Sequence, residues 1–231
     1  MPAKTRAENR AEIETAILRL GREHLRTAGA GGLSLRAIAR DLGMVSSAIY
    51  RYVPSRDELL TLLLVQGYTD LADHVDNTAD AISGPLHRER LLATAIAMRT
   101  WAVADPARWA LLYGSPVPGY SAPAARTVIP GTRVIARIIS ELGAAAKTSA
   151  LRADLPAPSA AVAADMQAVA EEFGTDLSNE IIAAATTLWA TIIGGISIEV
   201  FGQYGTETIA DPAALFAAQI TAALSLLFAS T

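Results

Sequence analysis

The punctuation of residues 34–60 constrains this chain most, because three helix boundaries fall there within a few turns of one another. Ser34 stands as an N-cap, Leu35, Ile38, Ala39 and Leu42 follow at i, i+3, i+4 and i+7, and Gly43 supplies a stop. Ser46 opens a second short helix that Pro54 closes. Ser55-Arg56-Asp57-Glu58 then has the S-x-x-E form of a capping box, placed before the apolar run Leu59 to Val65. Two helices of about two turns joined through Gly43-Met44-Val45 have the geometry of a helix-turn-helix. Spacing turns Leu35, Ile38, Ala39, Leu42, Val45, Ile49 and Val53 inward. It leaves Ser46, Ser47, Ala48, Tyr50, Arg51 and Tyr52 facing out, a row of hydroxyls, a guanidinium and two phenols that can reach base edges and phosphate oxygens.

Elsewhere the apolar residues repeat at 3.6 and nowhere alternate usefully with period two, so the fold class expected is all-α. A first helix carries Ile13, Ile17, Leu20 and Leu25 on one face and stops at Gly29 to Gly32. The helix behind the capping box is expected to reach about His74, with Asp76 to Pro85 as a polar connector. Further helices are expected at Leu86 to Ala104, Ala107 to Tyr113, Ala124 to Leu142, Ala160 to Phe173, Ser178 to Tyr204 and Pro212 to Ala229. The Ala- and Pro-rich stretch Ala144 to Pro158 reads as a mobile loop. This places a domain at 1–75 and a larger helical domain at 76–231.

Composition narrows the chemistry. Half of the 231 residues are apolar, which excludes wholesale disorder, and the absence of cysteine excludes disulfides, thiolate catalysis and Cys-ligated metals. His24, His74 and His87 lie far apart, so neither a metal site nor a nucleophile and base constellation is visible, and no cofactor is expected. Glu171 and Glu172 are adjacent, which sends them to different helix faces rather than pairing them for acid and base work. The reading is therefore not an enzyme. Two uncharged stretches, Ile181 to Ile198 and Ala213 to Thr231, carry several Thr, Ser and Gly and lack basic flanks. They read as helices that also meet a partner subunit, not as membrane spans. The N-terminus lacks the apolar segment of a secretory signal, so a cytoplasmic location is expected.

The net charge of −4 argues at first against a nucleic-acid partner, but it is the sum of opposite parts. Residues 1–60 hold 10 Lys and Arg against 7 Asp and Glu, and the remainder 9 against 16. A basic head on an acidic body favours phosphate at the head.

Ala48-Ile-Tyr-Arg-Tyr-Val-Pro-Ser-Arg-Asp-Glu-Leu-Leu60, preceded by Ser34-Leu-Arg-Ala-Ile-Ala-Arg-Asp-Leu-Gly43, resembles the N-terminal DNA-binding domain of the TetR repressor family. The resemblance implies that Ser34 and Tyr52 hold phosphates and that Tyr50 lies on the groove wall or a phosphate. It also implies that Arg36, Ser46 and Ser47 read base edges, that Arg51 reaches either, and that Arg56 sits near a phosphate. Val53 stands where Phe is usual, and Tyr52 where His is common. Lys4, Arg6 and Arg10 are candidates for an arm into the minor groove. Tyr113-Gly-Ser-Pro-Val-Pro-Gly-Tyr120 is similar to a segment of a TetR subgroup named for a Trp-His-Gly motif. Trp189-Ala-Thr-Ile-Ile-Gly194 resembles that motif with Ile193 in place of its His.

The resemblance further implies a homodimer through the helices at about 178–204 and 212–229, with two heads on half-sites of a near-palindromic double-stranded DNA operator. It implies a small-molecule effector as well. Trp101, Trp109, Tyr113, Tyr120, Trp189 and Phe201 are the candidates to line its pocket, although aromatics at helical spacing more often build core. The few charges in these stretches point to a largely apolar effector. The expectation is a sequence-specific transcriptional repressor released from DNA by its effector, against the alternative of a helical protein adaptor that binds no DNA.

Overall fold

The computed structural model describes residues 5–205 and 208–229. Among these the chain is all α, with a single isolated antiparallel bridge, Leu151 to Phe228, as its extended pairing. The helices are α1 (Arg6–Ala28), α2 (Leu35–Asp41), α3 (Arg56–Asp80), α4 (His87–Ala104), α5 (Pro106–Tyr113), α6 (Ala124–Lys147), α7 (Ala160–Glu172), α8 (Asn179–Val200) and α9 (Pro212–Ser225). The second element of the expected helix-turn-helix is only a 3₁₀ turn, Ile49–Arg51.

Two compact units result, and they do not follow a single cut near residue 75. The first comprises the described residues up to Asp70 together with Asp105–Gly131. Its core is Ile17, Leu20 and Leu25 of α1, Leu35, Ile38 and Ala39 of α2, then Ile49, Val53, Leu59, Leu60 and Leu63. The segment after Asp105 joins it for identifiable reasons. Asp105 caps α5 and takes Arg26 through two bonds, at 2.7 and 3.4 Å. Trp109 is fully buried, with its ring 4.4 Å from that of Tyr113, which meets Tyr68 edge-on at 6.0 Å. The Tyr120 hydroxyl bonds Thr61 Oγ1 at 2.9 Å, and Arg126 Nη1 donates to both Glu58 carboxylate oxygens. Glu58 N–H donates to Ser55 Oγ as the capping motif requires, while the Glu58 carboxylate serves Arg126. Gly67 permits the close approach of α5, since a Cβ there would lie 3.0 Å from Leu112 Cδ2.

The second unit comprises Leu71–Ala104 and the described residues from Thr132 onward. The helix expected to end near His74 continues to Asp80, which reduces the polar connector to residues 81–86. Leu71, Ala72, Val75 and Ala79 bury one side of this extension. Its other side pairs Asp73, Asp76 and Asp80 with Arg133 and Arg137 of α6 at 2.6–2.9 Å, so the acidic residues serve the helix as partners rather than breaking it. Likewise α6 outruns its expected end at Leu142, because Ala residues propagate helix well and Leu142 and Ala145 are buried. The remainder of the expected mobile loop is tied to the chain's far end. Arg152 N–H donates to the Leu227 carbonyl at 2.9 Å, and Ala229 N–H to the Ala150 carbonyl at 3.0 Å.

Ile182, Ala185, Leu188, Ile192 and Ile196 line the buried face of α8. Gly195 lets α9 close in, since a Cβ there would meet the ring of buried Phe216 at 3.0 Å, whereas Gly194 faces open space. By length and composition α8 could cross a membrane, and only 28% of its most apolar stretch is buried within the chain. Partly buried ion pairs replace apolar contact at two points. Arg99 grips Glu199 through Nε and Nη2 at 2.7 and 2.5 Å, and Glu141 takes His87 Nδ1 at 2.5 Å and Arg90 at 2.8 and 3.0 Å.

Candidate nucleic-acid interface

All eight residues proposed to meet DNA belong to the first unit, and their exposure sorts them. Ser34 caps α2 by accepting from Ala37 N–H at 3.4 Å, which leaves its hydroxyl proton available to a phosphate. Arg36 projects from the first turn of α2 and is exposed. The helix ends in paired bonds, Gly43 N–H to the Arg40 carbonyl at 3.0 Å and Met44 N–H to the Ala39 carbonyl at 2.8 Å, with Gly43 at φ +65°. This is the Schellman arrangement, and it demands the left-handed residue that Gly supplies.

Beyond it the chain makes a turn and then the 3₁₀ turn, anchored by fully buried Ile49 and Val53. Ser46, Ser47 and Arg51 are exposed, and Tyr50 is 43% exposed. Among the described residues the side chains of Arg36, Ser46, Ser47, Tyr50 and Arg51 have no intrachain hydrogen bond or ion pair, so their donors are available to a ligand. Tyr52 is half-buried beneath Arg10, whose guanidinium carbon lies 5.6 Å from the ring centroid.

Two placements correct the sequence reading, and one adds to it. Val45, assigned to the core, is 73% exposed, because the chain reversal at Gly43 breaks the helical register on which that assignment relied. Arg56 is held from the side: Nε donates to the Leu33 carbonyl at 3.2 Å and Nη2 to those of Ala30 and Gly31 at 2.7 and 3.2 Å, so it pins the α1–α2 connection while its side chain stays 33% exposed. The minor-groove arm loses two members to helix α1, which a Thr5 and Glu8 capping box starts at Arg6. Arg10 there bonds Glu14 at 2.8 Å and the Arg51 carbonyl at 3.4 Å. Lys4 lies outside the described residues.

The six pocket candidates divide between the two units. Trp109, Tyr113 and Tyr120 pack into the first unit, where burial pushes the Tyr113 phenol far above its ordinary value. Trp101, Trp189 and Phe201 belong to the second, and Phe201 is exposed. The second unit's cavities have other walls. One of about 500 Å³ lies among Leu155, Pro156, Pro158, Ala183, Leu188 and Leu227. Another, of about 620 Å³, lies among Ile139, Ser140, Lys147, Phe173, Thr175 and Leu177.

A helix-turn-helix with free cationic and hydroxyl groups along its exposed edge, joined in one chain to an all-helical second unit, defines a DNA-binding transcriptional regulator. Residues 17–63 match the family described as bacterial regulatory proteins, tetR family, and residues 91–223 match the Tetracyclin repressor-like C-terminal domain. The chain is 49% identical over 214 residues to the HTH-type transcriptional regulator Rv1816 of Mycobacterium tuberculosis, covering 93% of this chain and 92% of that protein. A counterpart from Mycobacterium bovis, HTH-type transcriptional regulator Mb1846, gives the same figures. Among solved structures, the regulatory protein SCO4313 superposes with a TM-score of 0.78 at 30% identity, covering 96% of this chain and 99% of that one. A protein from Rhodococcus sp. RHA1 shares the fold with a TM-score of 0.72 at 20% identity, covering 94% and 96%. The chain belongs to the TetR family of transcriptional regulators.

Proposed function

We propose that this chain is a homodimeric repressor that binds a near-palindromic operator through Ser34, Arg36, Ser46, Ser47, Tyr50, Arg51 and Tyr52, and that a small, largely apolar effector releases it. The observation that carries the DNA half is the exposed, intrachain-unpaired set Arg36, Ser46, Ser47, Tyr50 and Arg51. Arg56 acts there as a positioning residue through the carbonyls it holds.

The subunits join through the open sides of α8 and α9. Ala190, Gly194, Ile198, Ala222 and Leu226 form a groove of small and apolar side chains there, and Leu226 is exposed. Burying such a face against its copy gives a four-helix bundle and removes the apolar surface that the single chain leaves open. The effector enters the 500 Å³ cavity, whose size suits a drug-sized molecule. That cavity shares Thr191, Ala223 and Leu226 with the dimer groove, so an occupant shifts how the subunits pack and hence the separation of the heads. Acting on chromosomal operators, the protein works in the cytoplasm.

The test is a fluorescence-anisotropy titration of the full chain with duplex DNA flanking its own gene, repeated across salt concentrations. Tight binding whose logarithm falls linearly with log salt is expected, because phosphate contacts release counterions. Absent or salt-insensitive binding overturns the proposal.

A further inference from the structure

Val45 is the aliphatic side chain that helical spacing counts into the head's core, yet it stands 73% exposed. The cause is local. After the Schellman bonds at Gly43, Met44 packs onto the core cluster and Val45 turns outward. Ala48 N–H then donates to the Val45 carbonyl at 2.8 Å, which holds residues 45–48 in a closed turn ahead of buried Ile49.

One exposed aliphatic residue is ordinary on any protein surface. This one adjoins exposed Ser46 and Ser47 and shares the helix-turn-helix with exposed Arg36 and Arg51 and with Arg40, whose side chain is 79% exposed although its Nε lies 3.8 Å from Asp41. A surface so cationic is complementary to a polyanion, and an isopropyl group within it has no hydrogen bond to offer. The apolar group that a B-form major groove displays is the thymine C5 methyl; cytosine presents a hydrogen at the same carbon.

Building on the reading of this unit as the DNA-binding head, we infer that Val45 is a specificity-determining residue that selects a thymine in each half-site by covering its methyl group. The contact excludes water from both groups and adds discrimination that Ser46 and Ser47, which bond either purines or pyrimidines, do not supply. Covering one methyl corresponds to about a fourfold change in affinity per half-site.

The test begins with a duplex recovered from a random library by selection on the full chain. Each thymine is then replaced by deoxyuridine, which removes the methyl and keeps the base pair, and binding of wild type and Val45→Ala is titrated by anisotropy. Because Val45 lies outside the core, the substitution leaves the fold intact. The expected result is one symmetry-related thymine pair at which uracil weakens wild type about fourfold per half-site and leaves Val45→Ala unchanged. Wild type insensitive to uracil at every position, or an equal penalty in Val45→Ala, overturns the assignment while the DNA-binding reading stands. Failure to recover any duplex overturns that reading and this inference with it.

Discussion

The two units differ in whether they leave arginines without an intrachain partner. In the second unit, among the described residues, Arg88, Arg90, Arg99, Arg133, Arg137 and Arg152 each have a partner within the chain, mostly a carboxylate. In the first unit Arg10, Arg26, Arg108 and Arg126 are likewise paired, but Arg36 and Arg51 are exposed without such a partner. The contrast shows that regional net charge understates the case for DNA. What phosphate can use is charge that the fold has not already neutralised, and that charge is concentrated on the helix-turn-helix.

Removing a partner from the second unit's partly buried network has the largest expected effect. Arg90→Met strands the Glu141 carboxylate beside His87, whose Nε2 is already buried without a partner. A loss of roughly 3 kcal/mol in urea unfolding is expected, with DNA affinity of the folded protein unchanged. A loss below 1 kcal/mol would show this pair to behave like an exposed one.

Next comes the head. Arg36→Ala and Arg51→Ala are each expected to weaken operator binding about tenfold or more, in line with 1–3 kcal/mol for a well-made base contact, without moving the unfolding midpoint. Arg56→Ala is expected to do the reverse, lowering stability by about 1–2 kcal/mol while the salt dependence of binding stays as in wild type. If Arg56→Ala flattens the salt dependence, its guanidinium reaches phosphate and the positioning role is wrong.

The smallest effect is in pH. Burial raises the Glu141 pKa, but bonds from Arg90 and His87 outweigh that and hold it below the ordinary 4.5. A carboxylate held low in the folded state adds stability above its unfolded value, and that stability drains away as pH falls through the folded value. Acid unfolding of wild type should therefore steepen below about pH 4.5, and Glu141→Gln should show a flatter profile there.

Much of the head is legible in the sequence. Leu35, Ile38, Ala39, Ile49 and Val53 are buried as their spacing requires, and Ser34 and Gly43 do open and close α2. Local rules sufficed because caps and i, i+4 spacing act within one or two turns. They failed where a left-handed residue resets the register: Val45 turned outward while Met44 packed onto the core, and a two-turn helix became a 3₁₀ turn. In the body, helix existence was readable, and the ends of α4 and α7 fall within one residue of expectation, but the ends of α3 and α6 do not. Asp73, Asp76 and Asp80 look like a polar stop until Arg133 and Arg137 arrive from residues far along the chain.

Composition, periodicity and punctuation thus settle the all-α class, the helix-turn-helix and the polar groups that equip it, since each depends on residues close in sequence. Tertiary packing alone decides the rest. It places Asp105–Gly131 with the head, ties Arg56 to the α1–α2 connection and divides the six aromatic residues between two units. It also decides which arginines keep no intrachain partner, because a long side chain's partner is chosen by what lies within a few ångströms in space, and chain separation carries no record of that.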